Sequence, residues 1–65
     1  MKTFEYRGDT ITIGTHQVGK RFNWWYETGG ELKGECQESG AQTEEAALRE
    51  ADYAARAAID QKLDG

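Results

Sequence analysis

Arg21-Phe22-Asn23-Trp24-Trp25-Tyr26-Glu27 is the stretch on which the fold turns. Four aromatic residues stand within five positions, and glycine-containing segments flank the run. Successive side chains of a strand point to opposite faces. Phe22, Trp24 and Tyr26 therefore share one face, and Trp25 stands on the other with Arg21, Asn23 and Glu27. Three rings on one side can form the centre of a small core, whereas the fourth asks for a contact outside it. A bulge at Trp24-Trp25 would exchange the two indoles, and sequence alone leaves that choice open.

Upstream, Lys2–Tyr6 reads as a short strand with Phe4 and Tyr6 on one face. Whether it pairs in the main sheet is not fixed by its pattern. Arg7-Gly8-Asp9 supplies a turn, because glycine reaches positive φ at little cost. Thr10–Thr15 follows, with Ile11 and Ile13 on one side and threonines between them, a β-branched pattern suited to strands. Gln17-Val18-Gly19-Lys20 is the next turn, and Arg21–Thr28 the aromatic strand. Gly29-Gly30 predicts a two-residue hairpin loop. Glu31–Gln37 completes the meander, with Leu32, Gly34 and Cys36 inward and the charged or polar Glu31, Lys33, Glu35 and Gln37 outward. Such alternation marks a sheet with one wet face.

Ser39-Gly40-Ala41-Gln42 interrupts the pattern. Thr43 is a helix N-cap, since its hydroxyl can accept from an otherwise unpaired backbone N–H. Glu44 and Glu45 complement the dipole in the first turn, and the helix is predicted to run to about Leu63. At 100° per residue Leu48, Ala51, Ala55, Ala58 and Ile59 form one stripe, flanked by Ala47 and Ala54. Alanines make this face thin, and bulky rings on a facing sheet would fill what it leaves vacant. The expected fold is thus α+β: a two-layer domain spanning residues 1–65, with a three- or four-stranded antiparallel meander under one C-terminal helix. The expected core is Phe4, Ile11, Ile13, Phe22, Trp24, Tyr26, Leu32, Leu48, Ala51, Ala55 and Ile59.

Size and charge bound the function. A chain of 65 residues buries only about 60% of its unfolded surface, so each large apolar group matters. The net charge is −4, and residues 41–65 hold three basic against six acidic groups. That balance argues against phosphate-backbone binding, which relies on Lys and Arg. One cysteine, Cys36, cannot form an internal disulfide, and a reducing, cytoplasmic setting is the default expectation. No apolar run reaches membrane-spanning length, and the sequence reads as a complete intracellular product starting at its own methionine.

No chemistry-bearing constellation emerges. His16, beside a predicted turn, has no nucleophile or orienting carboxylate fixed near it. Cys36 fits a small buried hydrophobe. One His and one Cys give no metal-ligand spacing, the carboxylates are scattered, and no phosphate-cradling glycine motif occurs. Arg7-Gly8-Asp9 spells an adhesion tripeptide and is read as turn chemistry alone. No enzyme activity, cofactor or metal is expected. The residues that point outward are Trp25, with Arg21 and Asn23 beside it, and Tyr53, on the helix side opposite the core stripe.

Phe4-x-Tyr6-x-Gly8-x-x-Ile11, the aromatic strand, and Thr43-Glu44-Glu45-Ala46 opening an alanine-rich helix together resemble small bacterial and phage domains of uncharacterised role. The resemblance spans most of the chain and implies a curled antiparallel sheet covered on one face by a C-terminal helix. It implies no catalytic residues. The order is also similar to the β-β-β-α part of double-stranded RNA-binding domains, but this chain lacks their first helix, and Glu44 and Glu45 replace their basic cluster.

The expected function is a small acidic cytoplasmic protein-interaction module, monomeric or weakly homodimeric, with an unidentified protein partner. Alternatives are an acidic inhibitor that mimics nucleic acid toward a nucleic-acid-binding protein, and weak nucleic-acid binding by the open sheet face.

Overall fold

The computed structural model describes residues 1–36 and 40–65. Four strands, β1 (Lys2–Tyr6), β2 (Asp9–Val18), β3 (Arg21–Thr28) and β4 (Lys33–Glu35), precede one helix, α1 (Glu44–Asp64). The strands pair antiparallel in sequence order, β1-β2-β3-β4, and α1 lies across one face. This is the two-layer α+β arrangement expected from the pattern, with the first strand paired in the main sheet.

Each hairpin is set by a backbone that only particular turns allow. At the β1–β2 loop Arg7 (φ 53°) and Gly8 (φ 82°) are both left-handed, as a type I′ turn requires. At the β2–β3 loop Gly19 alone is positive, at 63°. Glycine at the first central position suits type II′. The β3–β4 loop departs from expectation. Gly29 and Gly30 do not take positive φ; Glu31 does, at 71°. The Glu31 N–H donates to Thr28 O at 3.2 Å, and the Thr28 N–H to Leu32 O at 2.9 Å. The loop therefore has three residues, a turn followed by a left-handed residue.

That longer loop, and the well-matched II′ turn before it, shift the strand limits. β2 runs on to Val18 rather than ending at Thr15, because Gly19-Lys20 suffices to reverse the chain. β4 is confined to Lys33–Glu35 instead of Glu31–Gln37, since Glu31 belongs to the loop and Leu32 closes it by accepting from the Thr28 N–H; Gln37 and Ser39 lie outside the described residues. Beyond β4, Ala41 resumes the ladder by exchanging backbone hydrogen bonds with Phe22, at 2.8 and 2.9 Å.

The β2–β3 register steps without slip from Ile11↔Thr28 to Val18↔Arg21. No bulge interrupts Trp24-Trp25, so Trp24 faces the helix and Trp25 faces away. The buried centre is Ile11, Ile13, Ala51, Ala55 and Ile59, with Phe4, Tyr6, Trp24, Tyr26, Leu32 and Leu48 packed around it. Trp24 and Tyr26 stack at 6.4 Å between ring centres. Ala47 and Ala41 are also buried. Phe22 is a correction: it is half-buried and lies outside this cluster, because its position on β3 is level with Ala41, beyond the central residues of the stripe. Ala58 is likewise only half-buried.

α1 is fixed at both ends. Thr43 Oγ1 accepts from the Ala46 N–H at 3.1 Å, and the Gly65 N–H caps Gln61 O at 2.8 Å. Its middle crosses Ile11 and Ile13 with alanines, which lets the backbone come close while the rings fill the sides. Burying each of Ile11, Ile13 and Ile59 contributes about 1.5–3 kcal/mol.

Candidate interaction surface

The face of the sheet opposite α1 carries no covering element among the described residues. It is built by the positions that alternate with the core: Thr3 and Glu5 from β1, Thr12, Gly14 and His16 from β2, Arg21, Asn23, Trp25 and Glu27 from β3, Lys33 and Glu35 from β4. Its centre is Trp25. The residue directly across from it on β2 is Gly14, and the indole lies on that glycine so closely that a Cβ at position 14 would overlap the ring. The same device recurs on the inner face one residue later. Tyr26 pairs with Gly34 of β4 and lies over it, again leaving no room for a Cβ. Glycine inside a strand marks close approach of another group. Here two consecutive rings on opposite faces each lie on a glycine of a neighbouring strand.

Trp25 is consequently half-buried by its own sheet, and its ring is held in place before any partner arrives. Glu27 pairs with Lys33, and Trp25 with Glu35, along the β3–β4 ladder, so both charge signs border the ring in a shallow hollow. Thr12 faces Thr3, their hydroxyls 3.3 Å apart. Arg21 and Asn23 lean toward the segment after β4: an Arg21 Nη donates to Gly40 O at 3.5 Å, and Asn23 Oδ1 lies against Gly40. Gly40 has φ 76°, and a Cβ there would also meet the Phe22 carbonyl. Asn23 and Arg21 thus share the outer face with Trp25, while also touching the chain that leads to α1.

Tyr53 is not part of this surface. It stands on α1, 78% exposed, beside a hollow bordered by Trp24, Arg49, Glu50 and Ala54. Trp24 Nε1 is buried with no hydrogen-bond partner among the described residues, a cost of about 1–3 kcal/mol that the ring's packing must offset. His16, expected beside a turn, lies within β2 opposite Asn23, exposed on the outer face. Cys36 is half-buried, with its N–H on Trp24 O at 2.8 Å. No group of three or more His, Cys, Asp or Glu able to hold a metal ion occurs among the described residues. Among the described residues no helix is long and apolar enough to cross a membrane.

The charges of α1 are mostly engaged. Arg49 pairs with Glu45 at 3.2 Å and Arg56 with Asp52 at 2.5 Å. Arg7, at the tip of the first hairpin, reaches Asp60 at 2.8 Å and Asp64 at 3.1 Å. Tyr6 donates its hydroxyl to Asp60 at 2.8 Å. The Arg7 hydrogen bond, then that of Tyr6, holds the Asp60 carboxyl below its ordinary value. The hydrogen bond to Asp60 in turn raises the Tyr6 hydroxyl above its own, and Asp64 and Asp60 raise the Arg7 guanidinium. The Arg7-Gly8-Asp9 tripeptide is thereby a structural joint. Its Arg clamps the helix end, and Asp9 Oδ1 accepts from Thr10 at 2.8 Å and Gly30 at 3.1 Å.

The sequence offered Trp25, Arg21, Asn23 and Tyr53 as candidates for contact and gave no role to Gly14. The available signal was a glycine interrupting the β-branched run of β2, one hairpin away from an aromatic strand. No protein-family model, curated protein or solved structure matched the chain when compared with it.

Proposed function

We propose that this protein is a non-enzymatic binding module of a reducing, cytoplasmic setting, whose contact surface is the uncovered sheet face centred on Trp25 and whose partner is another protein. The observation that carries this reading is the indole laid on Gly14. A half-buried tryptophan on an open face has already lost much of its rotational freedom, so little ordering cost remains on binding. Tryptophan is also enriched among residues that dominate binding energy. The mixed border of Glu27, Lys33 and Glu35 would supply register and selectivity more than affinity.

Nucleic acid fits this face less well. Arg21 and Lys33 are outnumbered by Glu5, Glu27 and Glu35, and one ring is not a stacking platform. Mimicry of nucleic acid by the helix also draws less support, because Glu45, Asp52, Asp60 and Asp64 each have a cationic partner within the chain.

The test is comparative capture. Immobilised wild type, Trp25→Ser and Tyr53→Ser are exposed to extract of the native host, and retained proteins are quantified by mass spectrometry. The expected result is a protein retained by wild type and Tyr53→Ser and lost with Trp25→Ser. Retention unaffected by Trp25→Ser would reject the outer face as the contact surface.

A further inference from the structure

We infer that the free edge of β1 is a self-association surface, on which a second copy of this chain docks antiparallel to form one continuous eight-stranded sheet. The inference is independent of Trp25.

The edge is chemically ready. A two-residue hairpin makes Tyr6 and Asp9 a hydrogen-bonded pair, and bonding alternates from there. Phe4 and Lys2 therefore bond to β2, while the N–H and C=O of Thr3 and Glu5 point away from the sheet. Among the described residues nothing pairs with them. β1 also lacks proline and bulges, two usual guards of an exposed edge. Above it, α1 stands over the inner strands and leaves a groove floored by Phe4, Ile13 and Leu48. Over β1 itself the roof is Arg56, whose guanidinium lies 5.2 Å from the Phe4 ring centre and 5.0 Å from that of Tyr6.

Charge selects the occupant. The helix wall of the groove presents Glu45, Arg49, Asp52 and Arg56, which are paired along the helix as Glu45 with Arg49 and Asp52 with Arg56 but stay 36–86% exposed within those pairs, and whose signs run −, +, −, +. Read in reverse, the row has the opposite sign at every step. An antiparallel copy therefore sets Glu45 toward Arg56 of its mate and Arg49 toward Asp52, each twice, whereas a parallel copy would oppose like charges. The same axis suits the strands. Glu44 meets Thr15, two residues beyond the Ile13 that pairs with Lys2, and Asp60 meets Tyr6. α1 thus runs alongside β1, and between those two contacts the midpoint of the charge row falls between Lys2 and Thr3, of which Thr3 is the one with outward backbone groups. A two-fold axis there pairs Thr3 with itself through outward backbone groups and places Lys2 against Phe4 of the mate. One operator satisfies backbone and charge, which is the mark of an isologous contact. The assembled sheet would carry two Trp25 faces side by side and so bind bivalently.

Sedimentation equilibrium on the full chain tests this at low salt. Wild type should pass from one chain toward two between about 10 μM and 1 mM. Thr3→Pro removes an outward N–H and the exposed Thr3–Thr12 hydroxyl contact but no backbone bond of the β1–β2 ladder, and should remain monomeric with an unchanged circular dichroism spectrum. Arg49→Glu, which needs no backbone change, should raise the dissociation constant at least about tenfold. Arg49→Glu with Asp52→Lys makes the row −, −, +, +, which again has the opposite sign at every step when reversed, and should recover association although both pairs along the helix become like-charged. A wild type that stays monomeric at 1 mM, a dimer indifferent to both Thr3→Pro and Arg49→Glu, or a double variant no tighter than Arg49→Glu would overturn the inference.

Discussion

Replacing Glu31 with glycine should stabilise the protein. Glu31 holds φ 71°, a conformation that costs an L-residue about 1–2 kcal/mol relative to the right-handed region. Its side chain is exposed and has no hydrogen bond or ion pair among the described residues, so nothing is forfeited by removing it. The backbone bonds between Thr28 and Glu31, and between Thr28 and Leu32, do not involve the side chain. Against the relief stands the greater entropy glycine loses on folding, roughly 0.5–1 kcal/mol. The difference leaves a gain between about 0 and 1.5 kcal/mol, with a midpoint of about 0.75 kcal/mol that in a domain of this size raises the melting temperature by roughly 3–6 °C. Glu31→Ala is the control, because it removes the charge and keeps the strained φ. Urea and thermal unfolding of the three proteins should rank Glu31→Gly above both others. A Glu31→Gly protein no more stable than Glu31→Ala would show that the loop does not hold residue 31 left-handed.

Three further outcomes are expected. Ala51→Leu and Ala55→Leu, at fully buried positions, should each cost about 1–3 kcal/mol in urea unfolding despite added apolar area, while Ala57→Leu, at an exposed position, should stay within about 0.5 kcal/mol of wild type. Gly14→Ala should push the Trp25 ring off the sheet, so that in a Trp24→Phe background emission shifts red and acrylamide quenching rises, and stability falls instead of gaining the roughly 0.5–1 kcal/mol alanine normally holds over glycine in a strand. Because the folded state holds the Asp60 carboxyl below its ordinary 3.8, its contribution is present above that value and lost as pH falls through the lowered one; raised Tyr6 adds a contribution present below 10.0 and lost as pH rises through its higher value. Asp60→Asn should flatten both limbs of stability against pH, and limbs as steep as those of wild type would refute the linkage.

Local pattern carried the parity of Phe22, Trp24, Trp25 and Tyr26, the Thr43 cap and the alanine stripe, because alternation and helical period are properties of adjacent residues. The extent of β2 was not legible, since His16-Gln17-Val18 carries no apolar alternation and is held in the sheet by its register with Arg21, Asn23 and Phe22. The loop at Gly29-Gly30 misled for a physical reason. Those glycines serve close approach, with Gly30 lying against Asp9 and Lys62, and the left-handed residue is the next one. The surface suffered the same way. Trp25 could be placed on the outer face from its neighbours, but its seat on Gly14 depends on cross-strand register. The clamp of Arg7 on Asp60 and Asp64 joins groups at opposite ends of the chain, beyond any local signal.

Which tryptophan faces the helix decides both the core packing and the outer surface, and proton–proton contacts in solution report that directly. A nuclear Overhauser spectrum should connect the Trp24 ring to the methyl groups of the α1 alanines and the Trp25 ring to the α-protons of Gly14. Contacts from Trp25 to those alanine methyls, with Trp24 against Gly14 instead, would contradict both the packing and the surface built on it.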